Sequence, residues 1–274
     1  LVYGAKKGLP TIYTPCIMAG GTAPATMAGV MVQGLCESLS GLVLSQCTRE
    51  GAPFIMGGVY TILDMGSTIF SYGAPELSLL LAGLADVAHY LNIPMFGTAG
   101  CTDSCIIDEQ AGIEAALSMA MTNMSGANLN HDTGYSEYGT TSNLDLVVIA
   151  DEVLGMARRI TAGIEVNEKT LCMDKLEAAG PKGRFIPEVD EWADDEDDEE
   201  FVPKNSRVDY KNRLVNRAAK EIWQKAGGKP LTQVANEKVR DIIEYHEPTP
   251  LPKDVAAKIR DLVENAVGHM PGED

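Results

Sequence analysis

The densest group of chemistry-bearing side chains lies at residues 131–138, where His131, the carboxylates Asp132 and Glu137 and the phenols Tyr135 and Tyr138 follow one another closely. Ring faces and carboxylates attract a cation, so this segment is a candidate cage for a methylated ammonium. The competing reading is structural: the two phenols pack on the fold while Asp132 caps a turn. Cys101 and Cys105, four apart, form with His131 a second candidate group that could ligate zinc. Two small, half-buried thiols satisfy the same spacing. Small residues supply a third feature, in Gly20-Gly21-Thr22, Gly57-Gly58 and the stretch from Gly97 through Gly100 to Asp103. Glycine lets a bulky ligand approach the backbone, and helix starts behind Thr22 and Asp103 would offer N–H groups to an oxygen. Tight turns explain the same glycines.

These groups need elements to position them. Residues 10–17, 53–57, 93–98 and 127–131 read as strands, each followed by a Gly-rich or polar turn and then a helical pattern. That alternation predicts βα units and a parallel sheet, an α/β fold. Leu77, Leu80, Leu81, Leu84, Val87 and Leu91 recur at helical spacing behind Pro75, which favours a first helical position. Residues 42–46 are taken as helix. The helix after Asp108 is apolar almost all round and is expected to be thoroughly buried. Four βα units make half of a TIM (β/α)8 barrel, whose sites lie at the C-terminal strand ends, and a half barrel leaves open edges that an N-terminal half must close. Residues 1–180 are therefore expected to be the C-terminal half of a barrel. Residues 181–207 read as an acidic surface linker, and 208–274 as a helical appendage with helices near 208–225, 232–246 and 255–267.

Of the net charge of −17, ten acids fall at residues 188–200, leaving 29 acids against 22 bases elsewhere. With no basic stripe, nucleic acid is not an expected partner. Unbroken apolar runs are too short to span a bilayer, so no membrane segment is expected. Six scattered cysteines read as reduced thiols in a cytoplasmic protein. The chain opens at Leu1 and is read as part of a longer protein.

Several blocks then occur in a specific order: residues 10–15, Met18-Ala19-Gly20-Gly21-Thr22-Ala23-Pro24, Gly51-Ala52-Pro53, Tyr72-Gly73-Ala74-Pro75-Glu76-Leu77, Thr102-Asp103-Ser104, Asp108-Glu109-Gln110-Ala111-Gly112 and residues 151–156. Together they resemble the trimethylamine methyltransferase family, closely over residues 10–180 and more loosely beyond. The resemblance implies a TIM barrel that passes a methyl group from a methylated amine to the corrinoid of a separate small protein, in one-carbon metabolism and methanogenesis. Family members divide into those with pyrrolysine and a larger set without it. By similarity Cys105 stands at the equivalent position, which favours a quaternary amine such as glycine betaine. On this reading Cys105, His131 and Glu137 are catalytic, and Tyr60, Tyr72, Asp132, Tyr135 and Tyr138 bind substrate. Gly20, Gly21, Thr22, Gly100 and Asp103 meet the corrinoid, no tightly bound metal is expected, and the protein is a homo-oligomer. The acidic run and Gly183-Arg184-Phe185, in place of Gly-His-Phe, depart from the family pattern. Two alternatives stay open: a metal-dependent barrel built on Cys101, Cys105 and His131, and a non-catalytic subunit of a larger assembly.

Overall fold

The computed structural model describes residues 1–183, 185 and 214–267. The acidic run and Arg184 lie outside the described residues. Two compact units are formed, Leu1–Asn236 and Glu237–Asp274. The strands are β1 (Thr11–Tyr13), β2 (Cys16–Ala19), β3 (Phe54–Gly57), β4 (Val59–Asp64), β5 (Ile69–Phe70), β6 (Met95–Thr98), β7 (Leu129–His131), β8 (Tyr135–Ser136) and β9 (Thr141–Ser142). The helices are α1 (Val2–Lys7), α2 (Met27–Thr48), α3 (Pro75–Tyr90), α4 (Glu109–Ser125), α5 (Leu144–Thr161), α6 (Glu168–Leu171), α7 (Met173–Ala179), α8 (Lys220–Lys225), α9 (Leu231–Tyr245) and α10 (Lys253–Val267).

Strands β1, β3, β6 and β7 form one parallel sheet in that order, as the alternating pattern predicts. The first two strands run further than expected. Thr11 faces Phe54 and Cys16 faces Val59, so the β1–β3 register continues unchanged into the parallel pair β2–β4. The break falls at Pro15, which has no N–H to give a ladder, although its carbonyl still accepts the Val59 N–H at 2.9 Å. Residues 57–60, read as a loop, are thus the entry to a strand that turns back antiparallel through β5. The turn is built by Asp64, whose carboxylate accepts the Ser67 hydroxyl at 2.6 Å and the Gly66 and Ser67 N–H groups at 3.2 Å.

Helices cover one face of the sheet. Met56, Met95, Leu77, Leu80, Leu81 and Leu84 are buried there in one cluster. Helix α2, helical through residues 42–46 as expected, turns the small residues Gly34, Ser38, Gly41 and Ser45 inward. A Cβ on Gly34 would fall 2.3 Å from the Tyr60 ring, and one on Gly41 2.5 Å from the Tyr13 ring. Those aromatic rings therefore fill the space that the small residues leave. By length and composition α2 is apolar enough to cross a membrane, contrary to the expectation that no such segment exists. Glycine, serine and cysteine break its apolar runs without making it polar; its small-residue face packs against the sheet, while Val32, Val43 and Leu44 are exposed. Helix α4 also departs from expectation. Ala111, Ala115, Ser118 and Met119 are buried, but Ile113 and Met124 are 67% and 59% exposed, because only one side of the helix meets the sheet and its neighbours.

The opposite face of the sheet carries Ile12 and Leu129, 39% and 47% exposed, with Ile55 and Phe96 partly buried. Beyond α5, the helix expected at 208–225 is confined to Lys220–Lys225 among the described residues. Helices α9 and α10 match the expected positions. Helix α5 starts on Asn143, whose Oδ1 accepts the Asp145 N–H at 2.9 Å and the Leu146 N–H at 3.3 Å. Asn143→Ala should therefore lower stability by about 1 kcal/mol, read as a shift in the urea midpoint at constant slope.

Candidate functional site

A chain of hydrogen bonds crosses the C-terminal ends of β6 and β7. Thr98 and His131 are cross-strand partners, with Thr98 Oγ1 and His131 Nε2 3.0 Å apart. His131 Nδ1 lies 2.7 Å from Asp132 Oδ1, and the Tyr72 hydroxyl donates to Asp132 Oδ2 at 2.6 Å. With Nδ1–H directed at Asp132, Nε2 and the Thr98 hydroxyl form the second hydrogen bond of the ring. The imidazole is also stacked on Phe96, with centroids 4.4 Å apart and planes 7° from parallel. Both ring nitrogens and one ring face are thus engaged, which fixes the orientation of His131. Asp132 has a left-handed backbone, φ 63°, which an Asp tolerates better than most residues. Tyr72 packs edge-to-face on Phe70 at 4.7 Å, and its N–H donates to Asp103 Oδ1 at 2.6 Å, while Ser71 Oγ donates to Asp103 Oδ2. Gly139, at φ 88°, abuts the Tyr72 ring, where a Cβ would come within 2.5 Å.

Charge follows from this geometry. Burial alone would raise the Asp132 carboxyl, but the hydrogen bonds from His131 and Tyr72, with the His131 charge, outweigh it and hold the carboxyl below its ordinary range. Burial and the bond to Asp132 push the Tyr72 phenol far up, so it remains a hydroxyl donor. The Cys101 thiol is driven up by burial and by the charges of Asp132, Asp103 and Glu114, and Cys16 is raised by burial and Asp132. Asp132 therefore stabilises the fold above its unfolded value near 3.9, and that contribution is lost as pH falls through its lower folded value. A carboxyl ¹³C titration should place the Asp132 midpoint below 3.9; a midpoint above it would contradict the network.

The structure brings together Tyr72, Asp132 and His131 and separates several other expected site residues from them. Tyr60 is fully buried in the core against α2, its hydroxyl 3.1 Å from Ser38 Oγ, and burial pushes its phenol up to about 12. It does not belong to a cage, because strand alternation turns it toward the helices. Tyr135 and Tyr138 are 37% and 40% exposed on the β8–β9 hairpin and make no ring contact with Tyr72 among the described residues. Glu137 is occupied with its own turn, accepting the Thr141 and Thr140 hydroxyls at 2.7 and 3.3 Å. Glu137 and Tyr138 both have left-handed backbones, φ 49° and 48°.

The glycine-rich end at Gly20-Gly21-Thr22 is a turn. The N–H groups of Gly21 and Thr22 both donate to the Met18 carbonyl at 3.1 Å. Thr22 Oγ1 accepts the Met18 N–H at 3.0 Å, and a Cβ on Gly20 would strike Met65. Helix α2 starts later, at Met27, capped by Thr26, and α4 starts at Glu109, capped by Asp108, so neither Thr22 nor Asp103 stands at a helix start. Gly100 faces Met119, Thr133 and Ala150, and the Asp103 carboxylate is spent on Ser71 and Tyr72. Cys101 is buried and Cys105 exposed, in a loop rather than on one helical face. No group of three or more His, Cys, Asp and Glu able to hold a metal converges among the described residues, so Cys101, Cys105 and His131 do not form the ligand set considered above. Sequence reasoning missed Thr98, Phe96 and Ser71. For Thr98 and Phe96 the signal was strand alternation, which puts both on the face of His131.

Residues 1–271 match the family described as Trimethylamine methyltransferase (MTTB). A trimethylamine methyltransferase of Desulfitobacterium hafniense is 36% identical over 264 residues, 96% of this chain and 51% of the relative. One of Methanosarcina barkeri is 30% identical over 97% of this chain and 52% of the relative. A glycine betaine methyltransferase of Desulfitobacterium hafniense is 28% identical over 94% of this chain and 52% of the relative. The chain spans about half the length of these curated relatives. With the match running through the segments that carry Tyr72, Asp132 and His131, the chain belongs to the trimethylamine methyltransferase family.

Proposed function

We propose that the complete protein transfers a methyl group from a methylated amine, by preference a quaternary one, to the corrinoid of a partner protein. The observation that carries this reading is the Asp132 carboxylate, ionised and 14% exposed, with Tyr72 on one oxygen and His131 on the other. A quaternary ammonium has no N–H to donate, so it seeks charge and ring faces rather than free acceptors. Asp132 supplies charge while its oxygens already have donors. Tyr72 provides the nearest ring, Tyr135 and Tyr138 remain candidates for the outer walls, and Cys105 for the position that pyrrolysine occupies in other members.

The corrinoid supplies the nucleophile that accepts the methyl group. Gly20, Gly21, Thr22, Gly100 and Asp103 remain the candidates to meet it: Gly21 and Thr22 are exposed, whereas Gly100 is buried and the Asp103 carboxylate already accepts from Ser71 and Tyr72. This chain's task is to bind and orient the amine and exclude water. Removal of a methyl group from a quaternary nitrogen leaves a neutral amine, so no proton need be supplied, and His131 acts by holding Asp132.

The four parallel strands are read as the C-terminal half of a TIM barrel over residues 1–180, with 181–207 a linker and 208–274 a helical appendage. The uncovered face with Ile12 and Leu129 supports an N-terminal half closing over it, as does a hollow of about 420 Å³ beside the free edge of β7, lined by Leu129, Asn130, Leu154 and Arg158. Exposed Val32, Val43 and Leu44 on α2 support a homo-oligomer, and six free cysteines a cytoplasmic setting.

Titration calorimetry of the complete protein with a quaternary ammonium and its uncharged tert-butyl isostere tests the reading. Charge and ring face, less the cost of taking the cation out of water, should favour the ammonium by about 2 kcal/mol, roughly 30-fold. Equal affinity for the isostere would defeat it.

A further inference from the structure

The amine site is held from behind by a carboxylate to which the proposed reaction gives no role. Glu114, on α4, accepts the Thr102 hydroxyl at 2.5 Å and the Asp103 N–H at 2.9 Å on Oε2, and the Gln110 side-chain amide at 2.9 Å on Oε1. Its carboxyl also fills the space beside Gly73, where a Cβ would lie 2.3 Å from Glu114 Cδ. Asp103, anchored in this way, accepts the Tyr72 N–H and the Ser71 hydroxyl, and Tyr72 reaches on to Asp132. One continuous path therefore joins α4, the loop after β6, the segment before α3 and the end of β7.

A surface role does not account for this arrangement. The Gln110 contact is an ordinary one-turn helical pair, but the other two donors come from a loop eleven and twelve residues away. All three donors are neutral groups, so the carboxylate serves as an acceptor for backbone and hydroxyl rather than as half of an ion pair. Thr102 is itself fully buried, and its N–H donates to the Tyr135 carbonyl at 2.9 Å, so displacement of Thr102 would disturb the β8 segment as well.

We propose that Glu114 is a positioning residue: by fixing Thr102 and Asp103 it sets where the Tyr72 ring stands relative to Asp132. The effect on catalysis rests on the amine-binding reading above; the hold on Tyr72 does not. The test uses the complete protein labelled with ¹³C at the tyrosine ζ carbons, with the Tyr72 signal assigned through Tyr72→Phe. Glu114→Ala should displace that signal and raise KM for a quaternary amine about 10- to 100-fold with a smaller change in kcat, the size expected of misplacement. Glu114→Gln keeps an oxygen for Thr102 and Asp103 and should restore both readouts. Thr102→Val, a milder change that deletes one donor, should displace the Tyr72 signal in the same direction and serves if Glu114→Ala does not fold. A Tyr72 signal left in place by these variants overturns the proposal. A displaced signal with unchanged KM upholds the hold of Glu114 on Tyr72 and counts instead against the amine site.

Discussion

Asp132→Asn is expected to weaken binding of a quaternary ammonium by about 30- to 150-fold. A full charge about 5 Å from the cation, at an effective dielectric constant of about 20, is worth roughly 3 kcal/mol, and the amide retains only a dipole. The substitution also sets an amide N–H₂ against one of two existing donors, the Tyr72 hydroxyl or the His131 Nδ1–H, so that one hydrogen bond of the pair is lost. Some loss of stability is therefore expected, and affinity must be measured on the folded fraction, with the urea midpoint recorded beside it. Asp132→Glu retains charge but not the spacing that Tyr72 and His131 impose, and should fall between wild type and Asn. Calorimetric titration of the complete protein gives both values. Unaltered affinity in Asp132→Asn would remove the carboxylate from the binding site.

Tyr60→Ala separates core from cage. Tyr60 is fully buried, packs where Gly34 leaves room and shares a hydrogen bond with Ser38. Removal of the ring opens a cavity that the close-packed interface of β4 and α2 cannot collapse, at a cost of about 3–5 kcal/mol. Affinity for the amine in the molecules that remain folded should be unchanged. The pattern is the inverse of that for Asp132→Asn, and a Tyr60→Ala protein of normal stability but poor affinity would return Tyr60 to the site.

The parallel order of β1, β3, β6 and β7 was legible because each strand is an apolar run closed by small or polar residues and followed by a helical repeat. Strand β4 was hidden by Gly57-Gly58, which reads as a turn; only Asp64-Met65-Gly66-Ser67 marked the real one. The face of a side chain could be inferred only where its strand was placed correctly, and for that reason Tyr60 was assigned to the wrong side. At the site, residue types around His131 announced a cation or a turn; the turn is seen at Glu137, and the cation reading stays a proposal. Asp132 joins the network, while Glu137 serves its own turn. The link from Tyr72 to Asp132 spans sixty positions, and the one from Glu114 to Asp103 joins a helix to a loop; neither follows from local spacing.

The most direct measurement is methyl transfer itself. The complete protein is incubated with a reduced corrinoid partner protein and, in turn, with quaternary, tertiary and secondary methylated amines, while the visible spectrum of the corrinoid reports its methylation. The account predicts methylation that is fastest with a quaternary amine and that falls steeply in Asp132→Asn. No methylation with any amine of the series, or equal rates in wild type and Asp132→Asn, would contradict it.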